Sequence, residues 1–278
     1  MDLISEANWI SRIESIKEIK TKPSKKQLKD SIIESIKNQA KDNNAVLFSG
    51  GIDSTLIAFI LKKLNKNFTC YAIGIENSKD LKAAEEIATT LGFKLKSKII
   101  SLDEVELYLK KTIKILKERD PVKLSIGTVI HIAADLAKQD SQSNLFSGLG
   151  AEELFVGYKR YRTSGNPEKE CWNGLKTTWK RDLSRDIPIA NNLNVNINVP
   201  LLNEEVIKQA MAFPIKEKFN NEQDKIILRE LAIDLGIPIE FANRKKIAAQ
   251  YGSGIDKAIT KLAKKNGFKL KRDYINKL

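Results

Sequence analysis

Isoleucine and leucine recur at helical spacing along residues 1–41, as Ile10, Ile13, Ile16, Ile19 and then Leu28, Ile32, Ile33, Ile36, with Pro23 between the two series. That spacing puts them on one face of a helix and proline ends a helix, so the stretch predicts a pair of amphipathic helices. From Ala45 the period changes. "AVLF" is a short apolar run and predicts a buried strand. Residues 52–64 predict a helix, "FTCYAIGI" a second strand, 79–91 a helix closed by Gly92, and "FKLKSKII" a third, alternating strand. Strand, helix and strand at this spacing need parallel crossovers, which implies an α/β fold on a doubly wound parallel sheet. Helices are predicted at 103–119 and 125–138, and "NLFSGLGAEELFVGY" predicts a short strand running through a glycine turn into another helix. Beyond Tyr161 the pattern is mainly helical. The Asn-rich "ANNLNVNINVP" reads as a connection, and helices are expected at 203–212, 224–234 and 255–265. The chain thus divides into an N-terminal helical segment, 1–41, and an α/β domain, 42–278, with a helical C-terminal part.

Composition narrows the chemistry. With 278 residues, 42% hydrophobic and 30% charged, the chain can bury a sizeable core. No apolar run approaches the ~20 residues of a membrane span and the N-terminus lacks a signal-peptide core, so the expected compartment is the cytoplasm. Cys70 and Cys171 stand far apart with no C-x-x-C pair, and His131 is the sole histidine. A zinc or iron–sulfur framework, a disulfide scaffold and a histidine triad are therefore set aside; the two thiols and His131 are read as packing residues. Trp172 and Trp179, seven residues apart in a helical pattern, are read the same way. A net charge of +13 invites a nucleic-acid partner. The basic tail "KLAKKNGFKLKRDYINKL" is nevertheless lysine-dominated, without an interleaved aromatic platform, and reads as a solvated surface.

The chemistry-bearing stretch is "AVLFSGGIDSTLIAFIL", Ala45 to Leu61. A strand that ends in Ser-Gly-Gly and turns into a helix leaves backbone N–H groups unpaired at the positive end of the helix dipole, a nest suited to an anion. Gly50 and Gly51 permit the tight turn, and the hydroxyls of Ser49 and Ser54 add donors for phosphate oxygens. Asp53 would be repelled by a phosphate unless a cation stood between them, and magnesium is the natural choice. The Walker pattern G-x-x-x-x-G-K-[ST] is absent, and in "GLGAEE" the third glycine of a dinucleotide fingerprint is replaced by Glu153.

These residues resemble the PP-loop ATP pyrophosphatases, of the adenine nucleotide alpha hydrolase-like fold, and within them the synthetase domain of the asparagine synthetase family. The family loop S-G-G-x-D-S stands here without departure as Ser49 to Ser54. "YAIGIENSKDLKAAEEIATTLGF" is similar to the second strand and helix. "LFSGLGAEELFVGY" is similar to S-G-E-G-x-D-E-L-F-x-G-Y, and "DLSRDIPIANNLNVNINVPLLNE" to the block ending R-V-P-F-L-D. "RKKIAAQYGSG" resembles the lysine loop of the related β-lactam synthetase, which puts Lys246 at the catalytic lysine's place. The resemblance implies an enzyme that splits ATP between the α and β phosphates, adenylates a carboxylate and releases pyrophosphate. It assigns ATP and pyrophosphate binding to Phe48, Ser49, Gly50, Gly51, Asp53, Ser54, Ile73, Ser147 and Gly148, with adenine against the backbone near Ile73. Magnesium falls to Asp53 and Glu152, and catalysis to Lys246.

Five departures shape the expectation. Asp2, not a nucleophilic cysteine, follows Met1, and only about forty residues precede the loop, so the chain is expected to need ammonia, another amine or a separate glutaminase. The glutamate thought to assist attack on the adenylate is Leu149, which cannot accept a proton, and the metal-holding aspartate is Glu152. The arginine of R-V-P-F-L-D is Asn198. Ser125 in "DPVKLSIGT" stands where an aspartate-binding cation is expected. The pattern resembles single-domain branches of the family and asparagine-synthetase-domain-containing proteins. The reading is an AMP-forming, amide-forming ligase with a small carboxylate substrate, aspartate by default, acting without a membrane and compatible with a homodimer. A tRNA-modifying PP-loop enzyme and an ATP-binding regulatory remnant stand as alternatives, the last supported by Leu149. Glu76 reads as an ordinary loop acid, and Glu153 as a helix-dipole partner.

Overall fold

The computed structural model describes residues 3–245 and 248–278. Helices α1 (Glu6–Lys17) and α2 (Lys25–Gln39) each start on a serine, Ser5 accepting from the Asn8 amide at 3.1 Å and Ser24 from the Gln27 amide at 3.3 Å. The chain then alternates through β1 (Asn43–Leu47), α3 (Ile52–Lys63), β2 (Asn67–Gly74), α4 (Lys79–Leu91), β3 (Leu95–Ile99), α5 (Leu102–Leu116), α6 (Pro121–Gln139) and β4 (Asn144–Phe146), with β5 (Asn196–Asn198) completing the sheet. Every strand pair is parallel, in the order β3-β2-β1-β4-β5. The order reverses between β1 and β4, and such a switch point opens a crevice beyond the carboxyl ends of those two strands.

Strand periodicity sorts the core into two layers. Val46, Phe48, Cys70, Ala72 and Phe146 point to one face, where they share a cluster with Trp9, Ile13 and Ile16 of α1 and with α2, α3 and α4. Their neighbours Ala45, Tyr71, Ile73, Leu145 and Ile197 point to the other, packed by α5, α6 and the helix Ile255–Lys265. Both thiols are free and buried. His131 packs inside α6 with its Nδ1 3.0 Å from the Thr112 hydroxyl. The indoles of Trp9 and Trp179 donate to the carbonyls of Leu175 and Ile4 at 2.8 and 2.7 Å, stitching the N-terminal helix to the C-terminal ones. Among the described residues no helix is long and apolar enough to cross a membrane.

The Asn-rich stretch is not merely a connection, because it carries β5. The pattern is hidden because asparagines replace apolar residues and satisfy one another. Asn44 donates to the carbonyls of Lys41 and Asn67, both at 2.8 Å, Asn144 donates to the Asn44 side chain at 2.9 Å, and Asn198 donates to the Asn144 side chain at 2.9 Å. All three are buried, so the ladder pairs carboxamides that would otherwise be costly in the interior. Asn198 thus serves the sheet. Ser125 lies inside α6, which begins earlier than its apolar pattern because Asp120 caps it and Pro121 opens it; the serine hydroxyl donates to the Pro121 carbonyl at 2.7 Å.

Candidate active site

Two glycine junctions meet at the switch point. The turn after β1 holds Gly50 at φ +63°, where a Cβ would come within 3.0 Å of the α4 backbone at Ala83 and Ala84. Gly51 caps α3 without a side-chain acceptor, so the first turn of that helix keeps its donors for a ligand. The turn after β4 brings Gly148 against Asp53, where a Cβ would lie 2.7 Å from the Asp53 Cβ. Between the junctions opens a cleft of about 880 Å³ lined by Phe48, Ser49, Asp53, Ser54, Ile73, Ser147, Gly148 and Glu152. Gly50 and Gly51 shape the turn behind these residues. Leu149 lines the same cleft as an apolar wall. Lys246 lies outside the described residues; Arg244 donates to the Gly50 carbonyl of the first junction at 2.9 Å. Glu76 is exposed on its loop.

The short helix α7 (Ala151–Leu154) separates two adjacent carboxylates. Glu152 turns to the cleft. Glu153 is only 1% exposed and accepts from Arg181 at 2.6 Å, so it is a buried ion-pair member and not simply a helix-dipole partner. Arg181 also holds Asp182 at 2.7 Å, and Arg185 bridges Asp182 at 3.1 Å to Asp186 at 2.6 Å. Part of this network sits on a π turn, Trp179–Leu183, a form often found at functional sites. Burial pushes the Glu153 carboxyl up, opposed by the Arg181 guanidinium.

Lys225 is a cleft residue that sequence reading missed. It stands at the start of the helix Ile226–Leu235 with φ +54°, and its ammonium lies 2.9 and 2.8 Å from the two Asp53 oxygens and 2.8 Å from Glu152 Oε1. Gly157 makes room for this meeting, since a Cβ there would fall 1.8 Å from Glu152 Oε2. Burial alone would lower the Lys225 pKa, but Asp53 and Glu152 together outweigh it and hold the ammonium above its ordinary value. A positive-φ lysine just before an apolar helix carries no distinctive local signal, and only the fold brings it to two carboxylates remote in sequence.

Asp53 and Glu152, which here share the Lys225 ammonium, are also oxygen ligands of the kind a hard cation takes. Among the described residues no group of three or more His, Cys, Asp or Glu could hold a metal alone. Two carboxylates completed by phosphate oxygens and water is nevertheless the usual way magnesium is held, so Asp53 and Glu152 fit that ion.

Comparison with known proteins gives the same context. The asparagine synthase family model matches residues 27–186 and 162–272. A provisionally named glutamine-hydrolysing asparagine synthetase of Methanocaldococcus jannaschii is 36% identical over 283 residues, covering 88% of this chain and 52% of that protein. Glutamine-hydrolysing asparagine synthetase of Gallus gallus is 29% identical over 243 residues, covering 83% of this chain and 42% of that protein. The chain therefore spans about half the length of these relatives. Among solved structures, NMN synthetase from Francisella tularensis aligns over 98% of this chain and 93% of its own, with a TM-score of 0.45 and 15% identity. By the family match over most of its length and by its relatives, the chain belongs to the asparagine synthase family.

Proposed function

We propose that this protein is an ATP-dependent, AMP-forming amide synthetase that adenylates a small carboxylate, aspartate by default, and passes the acyl group to ammonia or an amine delivered by a partner. The observation that carries this reading is the meeting of the second glycine junction with Asp53 at the first, where Asp53 and Glu152 share the Lys225 ammonium. In the first half-reaction a carboxylate oxygen attacks the α-phosphorus, the bond to the bridging oxygen breaks and pyrophosphate leaves. The amides at the start of α3 and the hydroxyls of Ser49 and Ser54, which line the cleft, would hold the departing phosphates. Lys225, kept protonated by Asp53 and Glu152, is a positive charge between these two carboxylates. Magnesium, held by Asp53 and Glu152, would supply charge neutralisation on the β and γ phosphates.

In the second half-reaction the nitrogen attacks the acyl carbon, the C–O bond to AMP breaks and the nitrogen loses a proton. Leu149 supplies no base at its own position on the cleft wall, and an amine attacks only through its unprotonated form, so the rate should follow free ammonia as pH rises. The test is ATP–pyrophosphate exchange by the isolated chain with each amino acid and with total tRNA. Exchange that depends on an amino-acid carboxylate supports the reading. Exchange that requires tRNA moves the assignment to a base-modifying enzyme, and no exchange with any substrate overturns synthetase function.

A further inference from the structure

Away from the phosphate turns, the cleft ends in a slot over the carboxyl end of β2. Leu47, Ile73, Val129, Ala133 and Ala249 wall it with aliphatic surface. Tyr71, Asp80, Gln250 and Ser253 line the same cleft with polar side chains. Gln250 is 4% exposed, lines the cleft, and its Oε1 is buried without a hydrogen-bond partner. A buried carboxamide left unpaired is costly, which makes it a strong pointer to a missing ligand group.

The backbone fixes where this carboxamide sits. Gln250 belongs to the single turn Ala249–Gly252, and the next residue, Ser253, accepts the Ile75 amide at 2.9 Å, clamping the segment across the end of β2. Gly252 is pressed against α4, where a Cβ would come within 2.1 Å of Asp80 Oδ2, and Gly254 against Ile75, where one would come within 2.4 Å of its Cγ1. A larger residue at either position would require the Asp80 or Ile75 side chain, or this turn itself, to shift. The slot thus presents aliphatic walls for a flat ring and one held acceptor–donor pair for its edge.

We infer that Gln250 reads the nucleotide base, its Oε1 accepting from the exocyclic amine of adenine while its amide group donates to the neighbouring ring nitrogen, N7. The inference rests on the reading of this cleft as an ATP site. A carboxamide meets the N6/N7 edge of adenine with both of its groups. Guanine presents two acceptors, O6 and N7, on the same edge, and a carboxamide in either orientation can satisfy one of them only.

The experiment measures dissociation constants by calorimetry, using the full chain with Mg2+ and ATP, 7-deaza-ATP or GTP, for the wild type and Gln250→Leu. The wild type should bind 7-deaza-ATP about fivefold more weakly than ATP, as expected for one lost neutral hydrogen bond. It should bind GTP weaker by about 10- to 100-fold, the scale of a bidentate base contact. In Gln250→Leu the ATP and 7-deaza-ATP constants should converge and the GTP gap should shrink. The wild-type comparison of ATP with 7-deaza-ATP deletes the atom from the ligand side, so it stands whether or not the variant folds. Equal affinity of the wild type for ATP and 7-deaza-ATP, or unchanged ratios in a folded Gln250→Leu protein, overturns the role of Gln250 while leaving ATP binding intact. Failure of the wild type to bind any nucleotide overturns the ATP reading and this inference together.

Discussion

Lys225 and Lys218 are both buried, at 5% and 1% exposure, yet their surroundings drive them in opposite directions. In the cleft, Asp53 and Glu152 grip Lys225 within 3 Å and hold it charged. Lys218, on the one-turn helix Ile215–Lys218, has only the Met211 sulfur at 3.6 Å, and among the described residues no carboxylate lies within ion-pair reach. Burial lowers its pKa to about 8, with weak opposing pulls from Cys171 and Glu168. Burial disfavours charge in both places, and the number of opposite charges decides which lysine remains a cation. A lysine held charged at a cleft can act on phosphates, whereas one that only adds cost to the core has no such use.

Removing the cleft lysine is expected to have the largest effect. Lys225→Met should lower AMP release by about 10²- to 10³-fold, the scale of losing one prearranged charge at a reacting centre. It also leaves Asp53 and Glu152 facing each other, so the variant's melting temperature should fall and be partly restored by millimolar Mg2+ alone, read by calorimetry without substrate. Wild-type turnover in a folded Lys225→Met protein would contradict the comparison.

The opposite substitution sharpens it. A lysine pKa that falls from 10.5 to about 8 on folding costs about 3 kcal/mol at neutral pH. The cost is complete below pH 8 and fades as pH rises toward 10.5. Lys218→Met should therefore raise stability by about 3 kcal/mol at pH 7 and by progressively less toward pH 10. Denaturant titrations at both pH values check the sign, and a loss of stability at pH 7 would refute it.

His131 follows the Lys218 pattern with a smaller effect near neutrality. Buried against Tyr108 and Thr112, with Asp135 too weak a pull to offset burial and Lys111 opposing it, the imidazole is driven from 6.5 to about 4. Its contribution is intact above pH 6.5 and lost as pH falls through 4. Between pH 7 and 5.5 the wild type should lose about 1 kcal/mol more than His131→Gln, which carries no titrating ring. Parallel stability curves for the two proteins would count against this. The smallest effect should come from an exposed pair. Lys25 and Glu230 stand 2.6 Å apart with side chains about half exposed, and Lys25→Ala should change stability by less than about 1 kcal/mol.

Much of the fold was legible because the sheet is buried on both faces and its strands read as apolar runs. "AVLF", "FTCYAIGI" and "NLF" lie where the sheet forms, and Gly92 ends α4 in the left-handed conformation expected of a helix-closing glycine. Strand β5 was missed because its asparagines pair with Asn144 and through it with Asn44, partners that local pattern does not reveal. In the candidate site, the reading of Ser49 and Asp53 came from the glycine turn and its anion-binding chemistry and that of Gly148 from the family resemblance, and all three line the cleft. Lys225 and Gln250 were not, since a lysine beside an apolar helix and a glutamine in a lysine-rich stretch have many ordinary explanations.

By itself the sequence determined the order of the first four strands and the helices between them, the two glycine turns and the chemical types gathered there, because propensity, periodicity and turn chemistry are local properties. Only the tertiary structure decided that Gly148 would press against Asp53, that Gly157 would admit Lys225 to the carboxylates, and that Gln250 would be left unpaired in an aliphatic slot. Each of these joins residues far apart in the chain. Whether a buried polar group gains a partner depends on the packing of whole elements, and no local pattern encodes that packing.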